Sequence, residues 1–96
     1  GDVRNSRAIR LMELLEERGA RVDFLDPYVD EATIGGTRRK SLAEAEVDLT
    51  AYDLSVICVA HPEMDLAGLL DSGLPVFDAV GATLGRPEAP GRLERL

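Results

Sequence analysis

The chain has 96 residues, a length that makes one small domain, over residues 1–96, around a single hydrophobic core. Hydrophobic residues make up 45% of it and charged residues 30%, a composition typical of soluble globular proteins and not of disordered or fibrous ones. The net charge of −7, from 18 acidic and 11 basic side chains, excludes a nucleic-acid surface but not a nucleotide, whose few charges one or two arginines can hold.

The cysteine count and the hydropathy pattern indicate where the chain resides. Cys58 is the only cysteine, so no internal disulfide can form. The sequence has no run of about 18 apolar residues and no basic leader ahead of an apolar segment. We therefore expect a cytoplasmic chain with no membrane partner. Because Gly1 leads directly into a helix signal without an initiator methionine, we also expect it to be part of a longer polypeptide.

The first predicted element is an amphipathic helix from Ser6 to Arg18. Asn5 or Ser6 can cap its start by accepting a backbone N–H, and Gly19 can end it in the left-handed conformation. Apolar side chains recur along one face at i, i+3, i+4 and i+7, namely at Ala8, Leu11, Met12 and Leu15.

The segment after this helix is predicted to hold a short strand, Arg21–Leu25, closed by a turn at Asp26–Pro27. Residues 30–40 are predicted to form a polar loop that contains two glycines and the basic run 38–40. Ser41 can then cap a helix of Leu42, Ala43, Ala45 and neighbouring glutamates.

The second half carries the strongest strand signal. Residues 54–59 are nearly all apolar and rich in β-branched side chains, which is typical of a parallel strand buried on both faces. A helix is predicted from Met64 to Leu70, followed by a strand from Pro75 that ends at Asp78. The tail from about Gly81, rich in proline and glycine, is predicted to be irregular.

The alternation of strands and helices predicts an α/β fold with a Rossmann-like parallel sheet flanked by helices. Ligands of such sheets bind at the carboxyl ends of the strands, which here are near Asp26, His61 and Asp78. Turn chemistry is the alternative explanation for the two aspartates, and a hydrogen bond within a turn is the alternative for His61.

Several segments of the sequence resemble the nucleotide-sugar dehydrogenases. Residues 2–6 have the pattern D-x-R-x-S at the start of a helix, and residues 19–28 follow with G-A-x-V-x-x-x-D-P-Y. Residues 53–57, 61–65 and 75–79 are similar to the closing strands of the same family. Over residues 2–84 the chain is thus identified as similar to the carboxy-terminal, UDP- or GDP-binding domain of the UDP-glucose/GDP-mannose dehydrogenase family.

The resemblance implies an NAD-dependent oxidation of a UDP- or GDP-sugar alcohol to the uronic acid, through a thiohemiacetal on a cysteine. It implies three partners: the nucleotide sugar, the rest of the dehydrogenase chain and further copies in a homo-oligomer. NAD and the nucleophile are expected outside this chain, because it has no G-x-G-x-x-G motif and Cys58 lies in an apolar strand that disfavours a thiolate. We expect the chain by itself to be inactive, and the parent protein to be a nucleotide-sugar 6-dehydrogenase.

The chain departs from the family pattern at two places. The strand of the type V-x-x-L-G-x-x-F-K that precedes D-x-R-x-S in the family is not in the sequence, so the sheet is expected to lack its first strand unless upstream residues or a second chain supply it. Val80 and Gly81 stand where the family commonly has Arg-Asn. The resemblance therefore transfers no ligand contact to these two positions.

The candidate ligand residues are at the amino terminus. Arg4, next to a helix start, combines its own charge with the helix dipole and can face a phosphate; the alternative is a surface arginine paired with Asp2. Asp2 can orient Arg4, and Ser6 is either a ligand contact or a helix cap. The basic run 38–40 is either a solvated loop or a rim that attracts phosphate from a neighbouring subunit. One cysteine and one histidine offer no metal-ligand spacing.

A non-catalytic flavodoxin-like binding or oligomerisation module is the alternative function. A receiver domain of that type needs an acidic cluster after its first strand and a lysine after its last, whereas Lys40 is the only lysine of the chain. The interpretation of the chain as a dehydrogenase domain is therefore favoured.

Overall fold

A computed structural model describes residues 3–60, 65–85 and 93–95, with residues 3–6 described by their backbone alone. The chain divides into two compact units, Gly1–Val47 and Asp48–Leu96. The expectation of a single domain over residues 1–96 stays a prediction. Each unit is built from its own local sequence signals and its own hydrogen bonds, and each is described by itself.

The amino-terminal unit begins with helix α1, Val3–Glu17. The predicted helix is confirmed in kind but begins three residues before Ser6. An N-cap residue has a non-helical backbone ahead of the first turn, so the prediction that Asn5 or Ser6 caps the helix is wrong. Gly19 follows the helix with φ +92° and donates its N–H to Glu16 O at 3.0 Å, which confirms the predicted stop.

The predicted strand Arg21–Leu25 is wrong, because this segment joins no ladder among the described residues. Its alternation of polar and apolar residues suits a half-buried strand, yet the ladder of this unit is formed elsewhere. One backbone bond, from Leu42 N to Phe24 O at 2.9 Å, holds the segment. The turn that follows is confirmed: Tyr28 N donates to Asp26 Oδ1 at 2.8 Å and Val29 N to Asp26 O at 3.3 Å.

Residues 31–40 form a β-hairpin instead of the predicted polar loop. Strand β1, Glu31–Ile34, pairs antiparallel with β2, Thr37–Lys40, so that Glu31 lies opposite Lys40. The two-residue connection is Gly35–Gly36, with φ +59° and +81°, a pair of conformations that glycine adopts at low cost. The sequence signal was available, since Gly-Gly between short β-forming runs predicts a hairpin.

Residues 41–51 contain two short 3₁₀ helices, Glu44–Glu46 and Leu49–Ala51, where a helix capped by Ser41 was expected. Ala43 flanks the first of them, and its side chain makes no capping bond. The Ser41 hydroxyl instead accepts the N–H of Asp26 at 2.8 Å. The second 3₁₀ helix belongs to the carboxy-terminal unit and is capped by Asp48, whose side chain accepts from Thr50 N.

The carboxy-terminal unit is an α/β unit with a three-stranded parallel sheet, which confirms the predicted Rossmann-like fold class. In sheet order its strands are β3, Ser55–Ile57; β4, Val76–Asp78; and β5, Leu93–Arg95. Helix α2, Leu66–Asp71, connects the first two. The strands predicted at 54–59 and 75–78 and the helix predicted at 64–70 are confirmed in kind, in shorter form.

Strand β5 contradicts the prediction of a wholly irregular tail. It places Leu93 opposite Val76 and Arg95 opposite Asp78. Three residues are too few to show a period-two pattern, and the strand is defined by its pairing with β4, which is remote in sequence.

A small apolar cluster holds helix and sheet together. Asp65 begins α2 by accepting Gly68 N at 3.0 Å, and Gly73 with φ +84° follows its end. Each fully buried side chain of the cluster stabilises the unit by about 1.5–3 kcal/mol. The buried members are Ile57, Leu66, Leu70 and Val76, with Leu69, Ala82 and Leu93 packed against them.

Candidate functional site at the carboxyl edge of the sheet

The three parallel strands end side by side at Ile57, Asp78 and Arg95. We call these residues, together with residues 58–60 and 79–85 that follow β3 and β4, the carboxyl edge. Open α/β sheets bind ligands at this edge, since the strand ends and the loops after them form a crevice there. Asp78 was predicted at this place from sequence, whereas Arg95 was not.

Asp78 is fully buried and holds the loop that follows it. Its Oδ1 accepts the N–H groups of Val80 and Ala82, each at 3.1 Å, and its Oδ2 accepts the Thr83 N–H at 2.8 Å and the Thr83 hydroxyl at 2.6 Å. Burial alone would raise the pKa of Asp78, but these hydrogen bonds outweigh it and lower the pKa to about 2. The carboxylate therefore stays ionised at neutral pH and serves the turn, which was the alternative explanation for this aspartate.

Arg95 contacts the same loop from strand β5. Its Nε donates to Thr83 Oγ1 at 3.0 Å and its Nη2 donates to Thr83 O at 3.1 Å. Thr83 is itself fully buried and donates its hydroxyl proton to Asp78, so its oxygen is free to accept from the guanidinium. A continuous chain of hydrogen bonds thus runs from Arg95 through Thr83 to Asp78. Only the pairing of β5 with β4 creates it, which is why no sequence motif pointed to Arg95.

Cys58 directly follows β3 and is half-buried. Burial raises the pKa of the Cys58 thiol, so the thiol is neutral near pH 7 and is a poor nucleophile. Cys58 was expected inside the strand but lies just after it, and its packing role stays a prediction. His61 lies outside the described residues, and its predicted alternatives stay open.

In the amino-terminal unit, the D-P-Y turn is tied to the residue that follows the hairpin. Asp26 donates its N–H to the Ser41 hydroxyl, and Ser41 Oγ lies 3.3 Å from both Asp26 O and Leu42 O, which can accept its proton. Asp26 Oδ1 is engaged by Tyr28 N. The Tyr28 side chain is 60% exposed beside this turn. The hydrogen bonds of the turn therefore account for Asp26, which was the alternative explanation given for this aspartate.

The basic run 38–40 lies in strand β2, and its two arginines are paired with glutamates. Arg39 makes a bidentate bond to Glu16 of α1, with Nη1–Oε2 and Nη2–Oε1 distances of 2.5 and 2.6 Å. The hydrogen bond from Arg39 lowers the pKa of Glu16 and raises that of Arg39. Arg38 Nε lies 2.5 Å from Glu31 Oε2 on the opposite strand. The prediction of a solvated loop is wrong, because these contacts fasten the hairpin.

The three residues predicted to bind ligand lie at the margin of the described part. Asp2 is outside it. The backbone of Arg4 and Ser6 lies in the first turn of α1, so Arg4 is inside the helix and not ahead of it. Their side chains are outside the described residues, and the ligand roles of all three stay predictions.

The described part lacks two features that would indicate a particular type of site. Among residues 3–60, 65–85 and 93–95, no group of three or more His, Cys, Asp and Glu side chains could hold a metal ion. No helix within these ranges is both long enough and apolar enough to cross a membrane.

Comparison with known families gives one match. The sequence model of the UDP-glucose/GDP-mannose dehydrogenase family, UDP binding domain, matches residues 1–83. The matched range includes the D-x-R-x-S and D-P-Y segments and ends at Thr83, in the loop held by Asp78, so β5 and Arg95 lie beyond it. Searches of curated proteins and of solved structures give no significant match.

Proposed function

Because the chain belongs to the UDP-glucose/GDP-mannose dehydrogenase family, as its UDP binding domain, we propose that it holds the nucleotide of a UDP- or GDP-sugar while the sugar alcohol is oxidised to the uronic acid with NAD. The family match over residues 1–83 carries the proposal. The parallel sheet of the carboxy-terminal unit supports it, since such sheets bind nucleotides at their carboxyl edge.

Arg4 is the residue that we propose to contact the nucleotide phosphate. It lies in the first turn of a 15-residue helix, where unpaired backbone N–H groups and the helix dipole favour an anion. A guanidinium adds a charge-assisted hydrogen bond to the same anion. In this proposal Asp2 orients Arg4, and Ser6 adds a hydroxyl to the phosphate, because its place within the helix removes the capping role.

The residues of this chain do not fit NAD. A dinucleotide-binding unit needs a glycine-rich turn between its first strand and helix, so that the backbone can approach the pyrophosphate. The connection from β3 to α2, residues 58–65, contains no glycine. We therefore propose that NAD, which accepts the hydride when bound, is held by another part of the dehydrogenase.

The covalent step is likewise assigned elsewhere. The raised pKa of Cys58 keeps its thiol protonated, so we propose that the nucleophilic cysteine is not in this chain. The chain then contributes binding and orientation of the nucleotide, which lowers the barrier by fixing the sugar against the reacting groups. A cytoplasmic, homo-oligomeric dehydrogenase is the assembly that this family assignment favours.

Calorimetric titration tests the binding part of this proposal. We expect UDP or GDP to bind the chain, and NAD not to bind. Incubation with NAD and UDP- or GDP-sugars should give no NADH, because neither the hydride-acceptor site nor the nucleophile is supplied. NADH formation that Cys58→Ser abolishes would contradict the proposal.

The role of Arg4 is tested in the complete dehydrogenase. We expect Arg4→Ala to lower kcat/KM for the nucleotide sugar by about one to two decades, since a charge-assisted hydrogen bond contributes about 1.5–3 kcal/mol. Arg7→Ala, in an exposed arginine of the same helix, is the matched control and should leave kcat/KM unchanged. Equal values for the two variants would make Arg4 a structural residue.

A further inference from the structure

We propose that Arg95 is an anion contact of the carboxy-terminal unit and binds the diphosphate group of a nucleoside diphosphate at the carboxyl edge of the parallel sheet. The inference rests on the proposed nucleotide-binding function and adds to it a residue beyond the range matched by the family. Arg95 is the last residue of β5, directly opposite Asp78. Its side chain is exposed, so a ligand can reach it.

The charges at this edge single out Arg95. Within its described residues the only charged side chains are Asp78 and Arg95, since residues 58–60 and 79–85 contain none. Asp78 is buried and cannot meet a ligand. Glu94 precedes Arg95, and because neighbouring residues of a strand point to opposite faces, its carboxylate is directed to the other side of the sheet. Among the described residues of the carboxyl edge, Arg95 is therefore the accessible charge that attracts an anion.

Three backbone N–H groups at this edge are already engaged by Asp78. The N–H groups of Val80, Ala82 and Thr83 all donate to the Asp78 carboxylate. Converging backbone N–H groups of this type often bind a phosphate. Here the Asp78 carboxylate takes the place that a phosphate would have. These three donors are therefore satisfied within the loop, and the Arg95 guanidinium is a charged donor that can face outward.

The guanidinium is also held in position before any ligand arrives. Two of its nitrogens are fixed on Thr83, at 3.0 and 3.1 Å, and Thr83 is fixed on Asp78. Holding a long side chain in one orientation removes part of the entropy cost of binding. The third nitrogen, Nη1, bonds to none of the described residues, and we propose that it donates to a phosphate oxygen.

The surroundings of Arg95 favour a nucleotide over a small inorganic anion. The loop that it contacts exposes two apolar side chains, Val80 at 45% and Leu84 at 69%. A nucleoside diphosphate presents an apolar base face on one side and a dianionic group on the other, which matches an apolar rim beside a single oriented cation.

The decisive experiment compares UDP with uridine, which lacks the phosphates, on the full chain. Titrations are followed by NMR, including the Nε–H resonance of Arg95. We expect UDP to shift this resonance and uridine to leave it in place. We expect Arg95→Ala to weaken UDP binding about 10- to 100-fold and to leave uridine binding unchanged. Arg95→Lys keeps the positive charge but loses the paired donors of the guanidinium, so its affinity for UDP should lie between those of the wild type and Arg95→Ala.

Arg21→Ala is the matched control, because Arg21 is a highly exposed arginine of the other unit, and it should bind UDP as the wild type does. An Arg95→Ala variant that folds and binds UDP within about twofold of the wild type would overturn the inference while leaving the proposed function intact. If that variant does not fold, a wild-type Arg95 resonance that stays fixed at saturating UDP overturns it equally. Failure of the wild type to bind UDP would overturn both.

Discussion

The two compact units of this chain are stabilised in opposite ways. In the amino-terminal unit, the hairpin is fastened to α1 by side chains near the surface: Arg39 and Glu16, whose side chains are 29% and 25% exposed, and Glu13, which accepts Gly35 N at 3.0 Å. In the carboxy-terminal unit, the parallel sheet is held by an apolar cluster and by the fully buried pair Asp78 and Thr83.

This difference decides what a substitution costs. Water can replace a lost partner at the surface, so a broken surface ion pair changes stability little. A buried donor left without its acceptor carries its full desolvation cost. Charged residues therefore matter much more in the unit where they are buried than in the unit where they are numerous.

Asp78→Ala should have the largest effect. It leaves the buried N–H of Thr83 and the partly buried N–H groups of Val80 and Ala82 without their acceptor. A fully buried group costs about 1–3 kcal/mol and a partly buried one less, so we expect a loss of about 3–5 kcal/mol in the free energy of unfolding. Urea denaturation measures it. Asp48→Ala is the matched control, because Asp48 makes similar bonds to Thr50 N and Oγ1 at an exposed position, and its effect should be much smaller. Equal losses would remove the distinction between the units.

Acid should act on the carboxy-terminal unit through the same carboxylate. The pKa of Asp78 is about 2 in the folded chain, below the value of about 3.9 for an unfolded aspartate. Because the folded pKa is the lower one, the stabilisation is fully present above about pH 4 and is lost as the pH falls toward 2. Asp78→Asn lacks this titration. The difference in unfolding free energy between wild type and Asp78→Asn should therefore shrink over that range, and a constant difference would contradict the assignment.

The hairpin turn gives a prediction of intermediate size. Gly36 has φ +81°, a conformation that costs a residue with a Cβ about 1–2 kcal/mol. Nothing lies within 4 Å of a Cβ placed there, so strain and not a clash is responsible. We expect Gly36→Ala to lower stability by about 1 kcal/mol, and Gly36→Asn to lower it less, because asparagine tolerates this region. Thermal unfolding of the two variants checks the order.

The smallest effect is expected from the surface pair that fastens the hairpin. Arg39→Ala removes the bidentate bond to Glu16, and we expect a small, salt-sensitive loss of protection against amide exchange in β1 and β2. Arg38→Ala is the matched control, because Arg38 is 76% exposed and, among the described residues, pairs with Glu31 of the same hairpin. A larger effect from Arg38 than from Arg39 would show that the contact with α1 does not hold the hairpin.

The correct sequence predictions concern elements with a local signal. The 3.6-residue pattern around Leu11 and Leu15 predicted α1, and Gly19 marked its end. The β-branched run around Val56 and Ile57 predicted β3. The turn at Asp26 was also predictable, because the signal lies in adjacent residues. The candidate site was predicted in part: the carboxyl edge and Asp78 were placed correctly, whereas Arg95 was missed.

The failures concern elements whose partner is distant in sequence. Residues 21–25 have the alternation of a strand, but a strand exists only where another chain segment pairs with it, and residues 31–40 pair with each other instead. Strand β5 has only three residues and is defined by its pairing with β4. Leu93, where β5 begins, lies 15 residues after Asp78, where β4 ends. Capping at Ser6 failed because α1 begins earlier, at Val3.

The sequence by itself determined the α/β class, the kinship with the dehydrogenases, and the elements that depend on residues within one or two turns of each other. The tertiary structure alone decided that Glu16 meets Arg39 across 23 positions and that Asp78 closes on Thr83, to which Arg95 then binds. The physical reason is that periodicity and capping are properties of neighbouring residues, whereas strand pairing and buried hydrogen bonds depend on which distant segments pack together.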